Sequence, residues 1–479
     1  MNPPETAPAQ DPADDLVDER TGLITRVDRA ERQPWWPRGL DICSASVGAI
    51  SHHLPWHADR VSTGTAFNDP EHARIAAIGE AVERYCGNFV PAGLRRASYT
   101  ELLDAGERAV DPGSLALYSQ AQYAEPGCPF TVFTADLPVL WTEGVTLGGG
   151  SGGDEEAVWV PASLTYVNYF QPPREAEPPT NFAVLAGIAA GPDLRGARTA
   201  ALEEIIERDA TVIWWANHLP ATPVDLNDAR LAHLLRPAPH LGHGWGHAPG
   251  TGEELSYRVV AIPTVFDVSV IGVLLRDEVL DLTVLGVAAR PDPAAAVAKA
   301  LAEAVTLRIY ALGLLEPDGV IWQAVADGYL STGLFHPHRA DRAYAASYRD
   351  DFRDVADLAC HSQIWLDPAM AGHLAPITAD VPPVSLAELP VVAGDPYLAY
   401  LGRLASAGLQ AHAVDLTTPD LAATGIRVSR VVVPGAYSNA PAAFPFLGGT
   451  RLYDDPVRLG LRAHALAEAD VNLVPLPHT

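Results

Sequence analysis

Apolar and polar positions along the chain follow two periods. From residue 70 to about 84, PEHARIAAIGEAVER has the spacing of an Ala-rich helix. Asp69 is placed to cap it, with Pro70 in the first turn. A second helix is predicted over roughly 194–215, after GIAAGPD, and a third over 292–312. Runs rich in β-branched and aromatic residues predict a strand at 159–170, two strands divided by a turn within RVVAIPTVFDVSVIGVLL (258–275), and another at 282–287. Near the end QAHAVDLTT and VSRVVVPG read as strands, followed by a last helix at about 456–469. Strands and helices mix without strict βαβ alternation, so the predicted fold class is α+β, sheets packed with helices.

Within the helices one pattern recurs. EAVERYC stands at 80–86 and EIIERDA at 204–210. Glu80 and Glu83 are three apart and share one helix face, as do Glu204 and Glu207. The third helix puts Glu303 among alanines, with Lys299 four residues before it and Arg308 five after. Glu-x-x-Glu-Arg is ordinarily a surface charge pattern with its arginine paired locally, yet these acids sit among Ala, Ile, Val and Leu. Two readings therefore stand: a solvated stripe, or three packed helices on which up to five carboxylates converge. Such a cluster cannot stay ionised without counter-charge. Oxygen ligands in this number suit a hard cation such as Mg²⁺, which typically reaches phosphates through one or two carboxylates, so a nucleotide site without a P-loop fits the pattern.

Composition narrows the classes. The 479 residues are 48% hydrophobic and 19% charged, which is globular. With 59 acidic against 32 basic residues the formal net charge is -27, which disfavours nucleic acid and anionic membrane as partners. Cys43, Cys86, Cys128 and Cys360 are scattered, with no CxxC pair, so no disulfide framework or structural zinc is expected. The start has neither the basic nor the apolar region of a signal peptide, and no apolar run reaches the roughly 18 residues of a spanning helix, so the cytoplasm is the expected compartment. LGGGSGGDEE (147–156) lacks the GK[ST] of a P-loop and reads as a surface hairpin or loop. There is no GxGxxG, HExxH or GxSxG, and the histidines, including His52, His53 and His57, show no ligand spacing. Residues 1–40 are expected to be a mobile or loosely ordered arm, and 41–479 a single catalytic unit with a Pro-containing tail.

Taken together, GTAFNDPEHARIAAIGEAVERYC (64–86), GIAAGPDLRGARTAALEEIIERDA (187–210), ARPDPAAAVAKALAEAVTLR (289–308) and AVDLTTPDLAATGIRVSRVVVPG (413–435) resemble the YcaO family. LVDERTGLI (16–24) and GGTRLYDDP (448–456) add to the likeness, which spans almost the whole chain in the family's order. The resemblance implies a YcaO-like fold around a glutamate-lined nucleotide site, ATP and Mg²⁺ as cofactors, and activation of a peptide backbone amide by phosphorylation of its oxygen. A Cys, Ser or Thr side chain then adds to that amide, giving thiazoline or (methyl)oxazoline; thioamide and macrolactamidine formation, or a non-catalytic scaffold, are the alternatives. By position, Glu80, Glu83, Glu204, Glu207 and Glu303 are implied to be catalytic and metal ligands, and Arg84, Arg208, Lys299, Ser62 and Gly64 to bind the nucleotide. Lys299 stands where relatives commonly have Arg, which keeps the charge but loses the bidentate fork. Ala76, Thr63 and Ala186 replace polar residues common on the ATP face of relatives. The end, VNLVPLPHT, keeps two prolines, Pro475 and Pro477, of a Pro-rich tail that reaches the active site in azoline-forming members. Implied partners are a precursor peptide and a separate leader-binding protein, ThiF-like or with a recognition domain, with a dehydrogenase and a homodimer among the assemblies the family allows.

Overall fold

Three strand-to-helix units repeat one local design. In the computed structural model, which describes residues 12–48, 60–148, 155–328, 330–331 and 333–478, β3 (Val61–Phe67) leads into α1 (Pro70–Asn88), β7 (Ile188–Gly191) into α2 (Leu194–Ala216), and β13 (Leu282–Arg290) into α3 (Pro293–Leu315). Each helix starts on an aspartate whose carboxylate accepts orphan N–H groups: Asp69 from His72, Asp193 from Gly196, Asp292 from Ala294 and Ala295. Each strand has a glycine where the helix crosses it. A Cβ on Gly64 would lie 2.1 Å from the Ala73 carbonyl oxygen, on Gly191 2.4 Å from the Ala197 nitrogen, and on Gly286 2.1 Å from the Ala300 carbonyl oxygen. The alanine-rich helix faces are thus explained by packing: glycine below and alanine above let the backbones approach.

Among the described residues the strands form three sheets. β1 (Ile24–Arg29), β2 (Leu40–Val47) and β3 make an antiparallel three-stranded sheet. β13 pairs with β12 (Ser269–Asp277), which continues through β11 (Leu255–Ile262) to β10 (Trp245–His247) and β9 (Arg236–Pro237), while β8 (Thr222–Pro223) joins β11. β7 pairs with β15 (Arg427–Val432), followed by β14 (His412–Asp415), β5 (Val139–Thr146) and β4 (Arg95–Ala97), with β6 (Glu156–Pro161) on β5. β3, β7 and β13 are therefore each the end strand of a sheet, and their free edges present amides that need partners.

The α+β expectation holds, and the three long helices lie close to their expected bounds. Other expectations are corrected. The packed structure begins well before residue 41: Ile24 is fully buried on β1, Trp36 is buried, and β1 pairs with β2 from Ile24↔Val47 to Arg29↔Cys43, so the region expected as an arm supplies a sheet strand. The strand expected at 159–170 ends at Pro161, beyond which Ala162–Thr165 is one helical turn. Proline has no N–H to extend the ladder, and the pairing with β5 ends at Trp141↔Pro161. The last helix is Arg451–Arg458, stopped by Gly460 at φ +69°, rather than 456–469. His52, His53, His57 and residues 149–154 of the Gly-rich stretch lie outside the described residues, as do residues 1–11. Cys43, Cys86 and Cys360 are buried as free thiols. Among the described residues no helix is long and apolar enough to cross a membrane.

Candidate functional site

The five glutamates lie where the helices face the three free strand edges, and each accepts one backbone N–H there. Thr63 of β3 donates to Glu80 (3.0 Å), Ala190 of β7 to Glu83 (2.7 Å), and Gly187, just before β7, to Glu204 (2.8 Å). Ala289 and Val287 of β13 donate to Glu207 and Glu303, both at 3.1 Å. The arrangement follows a register in the chain. Glu80 and Glu83 stand eleven and fourteen residues after the cap Asp69, Glu204 and Glu207 eleven and fourteen after Asp193, and Glu303 eleven after Asp292. The carboxylates thus each cover a sheet edge with one oxygen, while the second oxygen of Glu80 meets Arg84 and that of Glu207 meets Arg208.

Burial drives the electrostatics. Loss of solvent pushes Glu83 up to about 8, with the charges of Glu80 and Glu204 adding to it and the Ala190 amide opposing. Glu207 rises to about 7, again chiefly by burial; Arg208 pulls it back while Glu303 and Glu204 push it up. The mutual influence Glu80–Glu83–Glu204 and Glu204–Glu207–Glu303 links the carboxylates into one row, so a cation entering it would relieve repulsion along its length. Among the described residues no three acidic, histidine or cysteine side chains are arranged around a single point that could hold an ion. Separate carboxylates fit a Mg²⁺ carried in by phosphates and touched by one or two of them.

Of the residues implied to bind the nucleotide, Arg84 pairs with Glu80 (3.2 Å) and Arg208 with Glu207 (3.1 Å), both at the row. Lys299 is exposed one turn before Glu303. Ser62 and Gly64 are turned away from the site: Ser62 donates to the Ala77 carbonyl (2.6 Å) and Gly64 lies beneath α1, so both hold strand to helix. The tail, Pro475 and Pro477 included, runs into the interior. Trp215 donates to the Val474 carbonyl (2.7 Å), Trp365 to that of Pro475 (2.8 Å), and the Leu285 amide to that of Pro477 (2.8 Å). His478 was not singled out by the sequence, since a histidine next to the terminus carries no spacing signal. It is 4% exposed; its Nδ1 donates to the Leu285 carbonyl (3.1 Å) and its Nε2 accepts from Arg208. Burial first, and the Arg208 charge second, pull His478 down to about 4, so the ring is neutral and serves as the acceptor that orients Arg208. Arg290 and Glu203, another pair missed by sequence, form an ion pair at 3.2 Å beside Glu207, with Tyr400 donating to Glu203 (2.7 Å).

Comparison with solved structures places this arrangement among known folds. A heterocyclase in complex with substrate and cofactor superposes with a TM-score of 0.66 at 21% identity, over 98% of this chain and 57% of that one. The heterocyclase TruD gives 0.55 at 22% identity, over 84% of this chain and 50% of its own, so this chain spans about half the length of these two proteins. YcaO from Methanopyrus kandleri, bound with AMPPCP and Mg²⁺, gives 0.53 at 18% identity over 88% of this chain and 91% of its own. At these identities the likeness establishes a shared fold. A comparison with curated proteins gives no match. The family model described as YcaO cyclodehydratase, ATP- and Mg²⁺-binding, matches residues 66–437. That match takes in all three helices with their five glutamates, together with β7 and β13, and the chain belongs to the YcaO family.

Proposed function

We propose that this protein is an ATP-dependent cyclodehydratase that acts on backbone amides of a ribosomally made precursor peptide, converting Cys, Ser or Thr residues to thiazoline or (methyl)oxazoline. The observation that carries the reading is the row of five carboxylates, each with one oxygen engaged by a strand amide, with Arg84 and Arg208 paired to Glu80 and Glu207 where a metal-bound phosphate would draw on both charges. Mg·ATP, when bound, supplies the phosphoryl group that turns the amide oxygen into a leaving group. The chain's own residues position it. Arg208, oriented by neutral His478, offers a fixed guanidinium to phosphate. Glu83 and Glu207 hold protons near neutral pH and release them when cationic charge arrives. The buried tail excludes water from the Arg208 side.

The substrate peptide brings its own nucleophile, so no nucleophilic side chain is required of the protein. A separate leader-capturing protein is part of the reading: tethering the leader makes binding of the core intramolecular and raises its effective concentration. The test is turnover of precursor by the purified chain with and without that partner. Phosphate release, with loss of one water mass per ring, supports the reading, and the partner should raise the rate. Absence of both products with partner present would leave a scaffold, while exchange of oxygen for sulfur would indicate thioamide formation.

A further inference from the structure

Among the described residues Arg430 is a fully buried cation whose hydrogen-bond partners are all backbone carbonyls. It stands within the apolar run VSRVVVPG on β15, opposite Val414 of β14 and Ile188 of β7. Its Nε donates to the Thr165 carbonyl (3.2 Å), and its terminal nitrogens donate to those of Val184, Leu185 and Ala186, just before β7. A buried guanidinium is costly without an opposing charge, and Arg308, for comparison, has Asp277 in contact. Arg430 has its carboxylate one peptide group away.

The carbonyl of Ala186 and the N–H of Gly187 belong to the same peptide group. Arg430 donates to its oxygen, and its N–H donates to Oε2 of Glu204 at 2.8 Å. Cation, peptide and carboxylate therefore stand in series, and a cation on the carbonyl polarises the amide into a stronger donor. Burial pulls Arg430 down to about 10, and the charge of Glu204 opposes that fall. The other two units lack this relay. Glu80 and Glu303, also eleven residues after their caps, take the amides of Thr63 and Val287. The carbonyls of those peptide groups belong to Ser62 and Gly286, which sit in ladders opposite Ala45 and Val273. Ala186 precedes β7, whose register with β15 starts at Ile188, so its carbonyl is left for the guanidinium. Gly187 makes the turn that aims the N–H: its φ is +94°, and a Cβ there would lie 2.6 Å from the Val431 carbonyl oxygen.

The series changes what Glu204 can offer. In Glu80 and Glu207 the oxygen that the strand amide leaves is met by an arginine, Arg84 at 3.2 Å and Arg208 at 3.1 Å. Glu204 receives its cation through the peptide instead, and its Oε1 has no hydrogen-bond partner among the described residues. We propose that Arg430 is a positioning residue for Glu204: acting through the Ala186–Gly187 peptide group, it anchors Oε2 and balances the charge, and so leaves Oε1 for the Mg²⁺ that enters with ATP. This rests on the Mg·ATP site of the proposed function, not on which ring is formed.

The probe is Mg²⁺ with a non-hydrolysable ATP analogue, titrated into the full chain by calorimetry with no peptide or partner present. If wild type binds no Mg²⁺ with the analogue, the nucleotide site fails and the inference falls with it. Binding without any turnover of precursor would sink the cyclodehydratase reading and leave this inference standing. Arg430→Gln removes the cation but keeps an amide that can donate to the carbonyls. At fixed analogue it is expected to raise the Mg²⁺ concentration for half-saturation about tenfold, the loss of one charge-assisted bond. Amide exchange at Gly187 should quicken, while the weak binding of metal-free analogue stays as in wild type. A residue that only braces the sheet would lower Tm without moving the Mg²⁺ requirement, so an unchanged requirement overturns the inference. Arg430→Lys keeps the charge without the fork and should fall between wild type and Arg430→Gln; a lysine variant no better than the glutamine one overturns the charge relay. Should Arg430→Gln not fold, Glu204→Gln decides. At pH 6, where Glu83 and Glu207 hold their protons, it leaves Arg430 without its opposing charge and should lower the Tm of the unliganded chain. An equal or higher Tm overturns the inference.

Discussion

Glu83→Gln is expected to stabilise the unliganded protein in alkaline buffer while stopping turnover. Burial raises the Glu83 carboxyl from 4.5 to about 8. Between those values the folded chain holds a proton that the unfolded chain has lost, so stability falls as pH rises through the window and the full cost is present above about 8. At about 1.4 kcal/mol per decade, that cost is about 5 kcal/mol. Gln is neutral at every pH and keeps an oxygen for the Ala190 amide, so it escapes the penalty. With about 2 cal/mol/K of unfolding entropy per residue, each kcal/mol moves Tm by about 1 °C in a chain this long. Thermal unfolding without nucleotide should therefore show the variant close to wild type at low pH and about 5 °C above it at pH near 9. The same variant should gain little from Mg·ATP, because the carboxylate that receives the cation is gone. A Tm difference that stays constant across the pH range would refute the burial argument, and full turnover by the variant would refute the role of Glu83.

Three further outcomes are expected. ATP should bind weakly without Mg²⁺, since its phosphates would meet bare carboxylates; calorimetry giving equal affinity with and without the metal would contradict the site as drawn. A chain ending at Val474 loses the Trp365–Pro475, Leu285–Pro477 and Arg208–His478 bonds, and should lose turnover together with hydrogen-exchange protection at Leu285; unimpaired turnover would show that the tail does not order the site. Glycines on the two sides of the first unit should respond with opposite sign. Gly64→Val forces a Cβ to within 2.1 Å of the Ala73 carbonyl oxygen and should lower stability by about 1–3 kcal/mol or more, whereas Gly79→Ala, whose Cβ meets nothing nearer than 3.9 Å inside α1, should raise it by about 0.5–1 kcal/mol, both read by thermal unfolding.

Much of this molecule is local and was therefore legible in the chain. The caps at Asp69, Asp193 and Asp292, the helices they start, and the pairing of Glu80 with Glu83 and Glu204 with Glu207 on one face depend only on residues within a few turns of one another. The register of eleven and fourteen residues from cap to glutamate was also present in the sequence, as was the isolation of Lys299 among 32 basic residues. The tertiary structure alone decided what those side chains do. The same Glu-x-x-Glu pattern suits a wet surface equally well; it became a row set against strand edges because three sheets end in edge strands whose amides need acceptors, and helices crossing at Gly64, Gly191 and Gly286 come close enough to supply them. Ser62 and Gly64 looked like ligand contacts in sequence and proved to be packing residues, because strand alternation turns them toward α1. The tail could have frayed; Trp215, Trp365 and Leu285 hold it at the site, across separations of 110 residues or more that no local pattern encodes. Helix phase and capping are short-range properties of the backbone. Burial, edge pairing and the charge state of a carboxyl depend on which distant segments meet, and the fold determines those meetings.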